Sequence, residues 1–186
     1  MVTDYLDNYL QKIKGDGNIE LADSIRKTAE SFNEKYLEKY SFVSHETGLL
    51  FGNVQSGKTG QMFGIMCQAA MNGFYAFLLL TTDNTVLQQQ TLNRVKRDLT
   101  DFLVCDETDS GLFIANQLQK PVVVVLKKNY RVLRLWANVF NTTQFMQGNA
   151  LFIVDDEADA ASLNTMVNKD KQSSINKYIS SIKDEG

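Results

Sequence analysis

Proline occurs once, as Pro121, and cysteine only twice, as Cys67 and Cys105. Two cysteines this far apart, with no Cys-x-x-Cys pair and no Cys/His cluster, argue against a disulfide framework and a zinc site, and predict reduced, partly buried thiols. No apolar run reaches the roughly 18 residues of a membrane span, so no membrane partner is expected. The opening Met1-Val2-Thr3-Asp4-Tyr5 has neither a basic leader nor an apolar signal core, and a cytoplasmic protein is the expectation. Lysine and arginine form no run longer than pairs such as Lys127-Lys128, and the net charge is −3. The basic stripe of a self-sufficient nucleic-acid binder is therefore missing, although a groove shared with another domain could supply it. Repeats and low-complexity segments are absent as well. What remains is an ordinary soluble composition, 44% apolar and 22% charged, over 186 residues, which is long enough for one well-buried core.

The first third has helical spacing. Tyr9 and Ile13 recur at four residues, then Ile25, Ala29, Phe32, Tyr36 and Tyr40 at three or four, with the turn Gly15-Asp16-Gly17-Asn18 between the two sets. The aromatic stripe of the second helix predicts packing on a sheet or on a partner. From Gly48 short apolar runs alternate with amphipathic segments, the pattern of a parallel sheet flanked by helices. Strands are expected at 48–51, 74–80, 122–126 and 150–154. The uninterrupted apolar run at 74–80 fits a strand covered on both faces. One helix is expected at 60–72, with Met62, Phe63, Met66, Ala69 and Ala70 on one face. A second is expected at 84–99, with Leu87, Thr91, Val95 and Leu99 inward and Arg94, Lys96 and Arg97 outward. A third is marked by Leu133, Trp136, Ala137 and Phe140, and a last amphipathic one by Ile175, Ile179 and Ile182. Residues 1–46 thus read as a helical segment and 47–186 as an α/β domain.

Between the first strand and its helix lies Gly52-Asn53-Val54-Gln55-Ser56-Gly57-Lys58-Thr59, the pattern of a phosphate-binding P-loop. Glycines at these two positions allow backbone conformations and close approaches that a Cβ would obstruct, so that successive amides point at phosphate oxygens. The helix N-terminus that follows adds partial positive charge. Lys58 is expected at the β- and γ-phosphates of ATP, and the Thr59 hydroxyl at Mg²⁺.

The last expected strand ends in carboxylates, Asp155-Asp156-Glu157-Ala158-Asp159, at the carboxyl edge of a parallel sheet, where such folds bind ligands. Hydrolysis of a nucleotide needs one carboxylate for Mg²⁺ and a neighbour to deprotonate the attacking water. Asp156 is the candidate for the metal and Glu157 for the general base. Asp155 and Asp159 are as well explained by capping or by a hydrogen-bond network.

Asp156-Glu157-Ala158-Asp159, placed roughly a hundred residues after the glycine-rich loop, resembles motif II of superfamily 2 helicases and translocases, with the loop as motif I. The forms of the loop and of Asp155 to Thr165, with Val125-Leu126-Lys127-Lys128-Asn129 between them, look like the Z1 domain. That family comprises helicase-like ATPases of bacterial restriction and phage-defence proteins, often described as endonucleases. The resemblance runs from about Gly48 onward. It implies a RecA-like parallel sheet sandwiched by helices behind an N-terminal helical extension, and an ATP- and Mg²⁺-dependent motor with DNA as partner. It also places Thr81-Thr82-Asp83-Asn84 as motif Ia, where helicases touch the nucleic-acid backbone, and Lys127, Lys128 and Asn129 in a comparable position. Thr82, Lys127, Lys128 and Asn129 are therefore candidate nucleic-acid contacts. Plain strand-to-helix connections, with Asn84 or Asn129 capping a helix, account for the same residues. No adenine-reading motif can be placed before Gly48, and no Pro-Asp…Glu-x-Lys nuclease arrangement occurs. The family's motors close ATP between two RecA-like lobes, the second carrying arginine fingers that contribute on the order of 10³ to 10⁵ in rate in related chemistry. No second lobe follows here, so the chain is expected to be part of a larger protein and to hydrolyse ATP very slowly by itself. A regulatory ATPase switch that does not move on DNA is the alternative.

Overall fold

A computed structural model describes residues 3–41, 48, 50 and 57–156, and divides the chain into two units, residues 1–74 and 75–186. Leu49 and Phe51 of the strand expected at 48–51, residues 52–56 of the glycine-rich loop, Glu157, Asp159 and the last amphipathic helix lie outside the described residues, and Gly48 and Leu50 are not assigned to a strand.

In the first unit Asp4 starts helix α1 (Tyr5–Gly15) by accepting a hydrogen bond from the Asp7 amide at 2.8 Å. Leu6, Tyr9, Leu10 and Ile13 form its buried face. Gly17, with φ +83°, turns the chain into α2 (Ile19–Phe32), whose buried residues are Ala22, Ile25 and Ala29. A π-helical turn, Asn33–Leu37, follows directly. Its wider spiral shifts the phase of the aromatic stripe, so Leu37 is 6% exposed and Tyr36 is 37% exposed. Helix α3 (Lys58–Met71) packs on both preceding helices. The expected partner of α2, a sheet or another protein, is therefore replaced by α3. The reason is the pair Gly60 and Gly64, one turn apart, whose missing side chains leave room for Ile25. A Cβ on Gly60 would lie 3.2 Å from Ile25 Cδ1, and one on Gly64 would collide with Ile25 Cγ2. Polar ties join the same surfaces: Gln61 donates to the Ser24 hydroxyl at 3.0 Å, and Asn72 to Asn33 Oδ1 at 2.8 Å. The sequence boundary at 46/47 marks a change of texture. The structural division falls at 74/75 because α3 belongs with α1 and α2.

The second unit is α/β, with four parallel strands in the order β2-β3-β1-β4. They are β1 (Ala76–Thr81), β2 (Leu103–Cys105), β3 (Val122–Lys127) and β4 (Leu151–Asp155). Helices α4 (Thr85–Asp98), α5 (Ser110–Asn116) and α6 (Tyr130–Thr142) pack against it. Strands β1 and β3 are buried along nearly their whole length, as their unbroken apolar runs require. Phe113 of α5 and Trp136 and Phe140 of α6 meet edge-on or tilted, with ring centroids 5.4 to 5.6 Å apart. The Trp136 indole donates to the Glu107 carbonyl at 3.1 Å. Of the inward residues expected on α4, Val95 and Leu99 are buried and Thr91 is half-buried, while Leu87 is 44% exposed and Gln88, Leu92 and Asp98 are buried as well. Gln88 tolerates burial because its amide donates to the Val125 carbonyl at 3.4 Å. No helix among the described residues is long and apolar enough to cross a membrane.

Both cysteines are buried thiols without a disulfide. Burial, with Asp109 and Asp106 nearby, pushes the Cys105 thiol up to about 12. Native protein at pH 8 is therefore expected to leave Cys105 unreacted with a thiol-specific disulfide reagent, and urea to release it. Because the folded value lies above the unfolded one, this thiol's contribution to stability is intact at neutral pH and is lost as pH rises toward 12. Rapid native-state labelling would contradict its burial.

Candidate functional site

The described end of the glycine-rich loop is Gly57, at the start of α3. Gly57 has φ +72° and ψ +24°, the left-handed conformation, and stands as the N-cap of α3. Glycine is the residue that adopts it without cost. Lys58 is the first residue of α3 and is exposed, and Thr59 follows, half-buried. Three features of this helix start are locally unfavourable. No side chain caps α3, no acidic residue stands in its first turn, and a lysine sits at its positive end. A glycine in place of a capping side chain costs about a few tenths of a kcal/mol and a cation at a helix N-terminus roughly 0.3–1 kcal/mol. An anion bound at this end would offset all three.

In the second unit the carboxyl ends of β1, β3 and β4 bring together Thr81, Thr82, Asp83, Lys127, Lys128, Asp155 and Asp156. The register pairs Thr81 with Lys127 and Leu80 with Asp155. The Asp156 amide continues the ladder to the Leu80 carbonyl at 3.0 Å, and the Lys128 amide does so to the Thr81 carbonyl at 3.0 Å. Lys128 has no exposed surface. Its ammonium lies 2.6 Å from Asp155 Oδ1 and donates to the Asp156 carbonyl at 2.8 Å. The contact with Asp155 is a close ion pair rather than an aligned hydrogen bond, since Oδ1 has no partner of hydrogen-bond geometry.

These contacts decide several readings. Lys128, expected at a nucleic-acid backbone, is instead an internal counterion, because its charge is enclosed and neutralised by Asp155. Asp155 takes the network role. Lys127 pairs with Glu107 at 3.3 Å, and both side chains keep some exposure. Asn129 caps α6 by accepting from the Arg131 amide at 3.0 Å and also reaches Asp83 Oδ2 at 3.4 Å. Asn84 caps α4 through the Val86 and Leu87 amides at 2.9 and 3.2 Å. The Thr82 hydroxyl is buried without a hydrogen-bond partner among the described residues. Asp156 is half-buried at the end of the strand. The described residues include no group of three or more His, Cys, Asp or Glu side chains able to hold an ion. Open cavities of about 300 and 680 Å³, one in each unit, border neither Lys58 nor Asp156.

Sequence inspection missed Lys128 as an internal partner and Ile25 as the residue seated on α3. The signal for the second was present in Gly60 and Gly64, four apart on one helix face. No family model, no curated protein and no solved structure matches the chain.

Proposed function

We propose that this chain binds a nucleoside triphosphate, ATP in the first instance, through the segment that ends at Gly57, Lys58 and Thr59. The observation that carries the reading is the left-handed Gly57 leading straight into a helix whose first turn has an exposed lysine, no acid and no side-chain cap. Gly57 lets the backbone turn without a Cβ in the way, the α3 amides and the Lys58 ammonium face the phosphate charge, and the Thr59 hydroxyl is an oxygen ligand for a cation. Bound Mg²⁺ would neutralise charge on the phosphates. Asp156 as its carboxylate and Glu157 as the base that deprotonates water are roles assigned from the motif. On the same basis the RecA-like architecture, the likeness to Z1-type helicase-like ATPases and DNA as a partner are part of the proposal. Lys127, Thr82 and Asn129 then remain as candidates on the nucleic-acid side.

Calorimetric titration of the chain with Mg-ATP tests the reading. Charge-assisted contacts of this kind contribute about 1.5–3 kcal/mol, so Lys58→Ala is expected to weaken binding by roughly 10- to 150-fold. Equal affinity of the variant and the parent chain would overturn it.

A further inference from the structure

Helix α2 lies against the very start of α3. Among the described residues, the atom near the position of a Cβ on Gly57 is Leu21 Cδ1, which would stand 2.8 Å from it. A Leu21 methyl thus fills the volume that any other residue at position 57 would use. One turn further along α2, Ile25 seats against Gly60 and Gly64, so a single stripe of α2 follows the glycines of α3 in order. From α1, the Tyr9 hydroxyl donates to the Gly60 carbonyl at 3.4 Å. The hairpin of α1 and α2 therefore forms a wall behind the helix start, and Leu21 is its last side chain on the Gly57 side.

We propose that Leu21 is a positioning residue for nucleotide binding. It holds Gly57 in the left-handed conformation and so aims Lys58 and the first turn of α3 at the phosphates; this rests on the reading of the preceding subsection. Glycine populates positive and negative φ about equally when nothing constrains it. The Leu21 methyl constrains it on one side by packing. Without that methyl the helices still meet through Ala22, Ile25 and Ala29, but the left-handed Gly57 becomes one of several conformations at this position, and apparent affinity falls by the fraction lost. Coupling of this kind is reciprocal, so a bound nucleotide holds the hairpin on α3.

The experiment is Mg-ATP titration of the whole chain with Leu21→Ala, Leu21→Met, Lys58→Ala and, as a stability control, Leu10→Ala in the buried face of α1. Leu21→Ala is expected to weaken binding roughly tenfold, which follows if other conformations at Gly57 come to outweigh the competent one by about ninefold. Leu21→Met keeps the packing volume and is expected to bind like the parent chain. Leu10→Ala is expected to lower the melting temperature without changing affinity. Parent-like binding by Leu21→Ala, with binding lost in Lys58→Ala, overturns the positioning role and leaves nucleotide binding standing. Parent-like binding by Lys58→Ala overturns both. Hydrogen exchange of the unmutated chain gives a second readout: amides of α1 and α2 are expected to exchange more slowly with saturating Mg-ATP, and unchanged exchange overturns the coupling.

Discussion

Lys128→Met is expected to destabilise the second unit by about 3 kcal/mol, whereas Lys128→Met combined with Asp155→Leu recovers most of the loss. Removing one member of a buried pair leaves an uncompensated charge and costs about 3–5 kcal/mol, while replacing both with apolar groups is often neutral. The lower end applies because the Asp155 side chain keeps 22% exposure. Urea unfolding followed by circular dichroism measures both values. A single variant that loses less than about 1 kcal/mol would mean that Asp155 finds water, and the ion pair would then not organise the end of β4. The comparison also separates two uses of Lys128. A lysine kept for a polymer outside the fold would leave stability nearly unchanged on removal.

Trp136→Ala is expected to cost about 3–5 kcal/mol, the usual loss for a large aromatic removed from a core. Trp136 is fully buried between Phe113 and Phe140, and its indole satisfies the Glu107 carbonyl. Trp136→Phe keeps most of the ring area and gives up that hydrogen bond, so it is expected to lose far less, about 1 kcal/mol for the bond and the remainder for the smaller ring. Because this is the sole tryptophan, its fluorescence reports unfolding of the second unit in the parent chain, and the variants require circular dichroism. Equal losses for the two substitutions would place the stabilisation in the hydrogen bond rather than in the aromatic cluster.

Strands β1 and β3 were legible because both-face burial writes itself as runs such as Val122 to Leu126, and β4 was legible from its apolar run Leu151 to Val154 although its residues are only partly buried. Helix α6 was legible because Leu133, Trp136, Ala137 and Phe140 recur at helical spacing, and all four are buried. Strand β2 was not, since three residues carry no period. Helix α5 was missed because Leu112 and Ile114 are exposed on either side of Phe113, which erases the apolar stripe. In α4 the inward Val95 and Leu99 were legible, but the first turn was misread for a physical reason: Leu87 is exposed and Gln88 is buried. Periodicity counts leucines, whereas the fold buried Gln88 by giving its amide a carbonyl. At the candidate site, the left-handed glycine was readable from Gly57 alone. The enclosure of Lys128 was not, because it depends on which strands neighbour β3, and Lys127-Lys128 has the look of an exposed basic pair until the register is known.

The strand order has a consequence for how the chain comes to be folded during synthesis. Strand β1 lies between β3 and β4, both of which follow it in the chain. Its apolar residues Ala76 to Leu80 emerge first and can hydrogen-bond to nothing until β3 has been made, and they stay open on the other edge until β4 arrives. Parallel pairing across such long stretches closes slowly, and an unpaired strand of this composition is prone to self-association meanwhile. The described elements of the first unit are helices, which close locally and have no such wait for distant strands. A ribosome releasing this protein would therefore expose a sticky, half-built sheet at the stage between β1 and β4, and that interval is where a chaperone would be most useful to it.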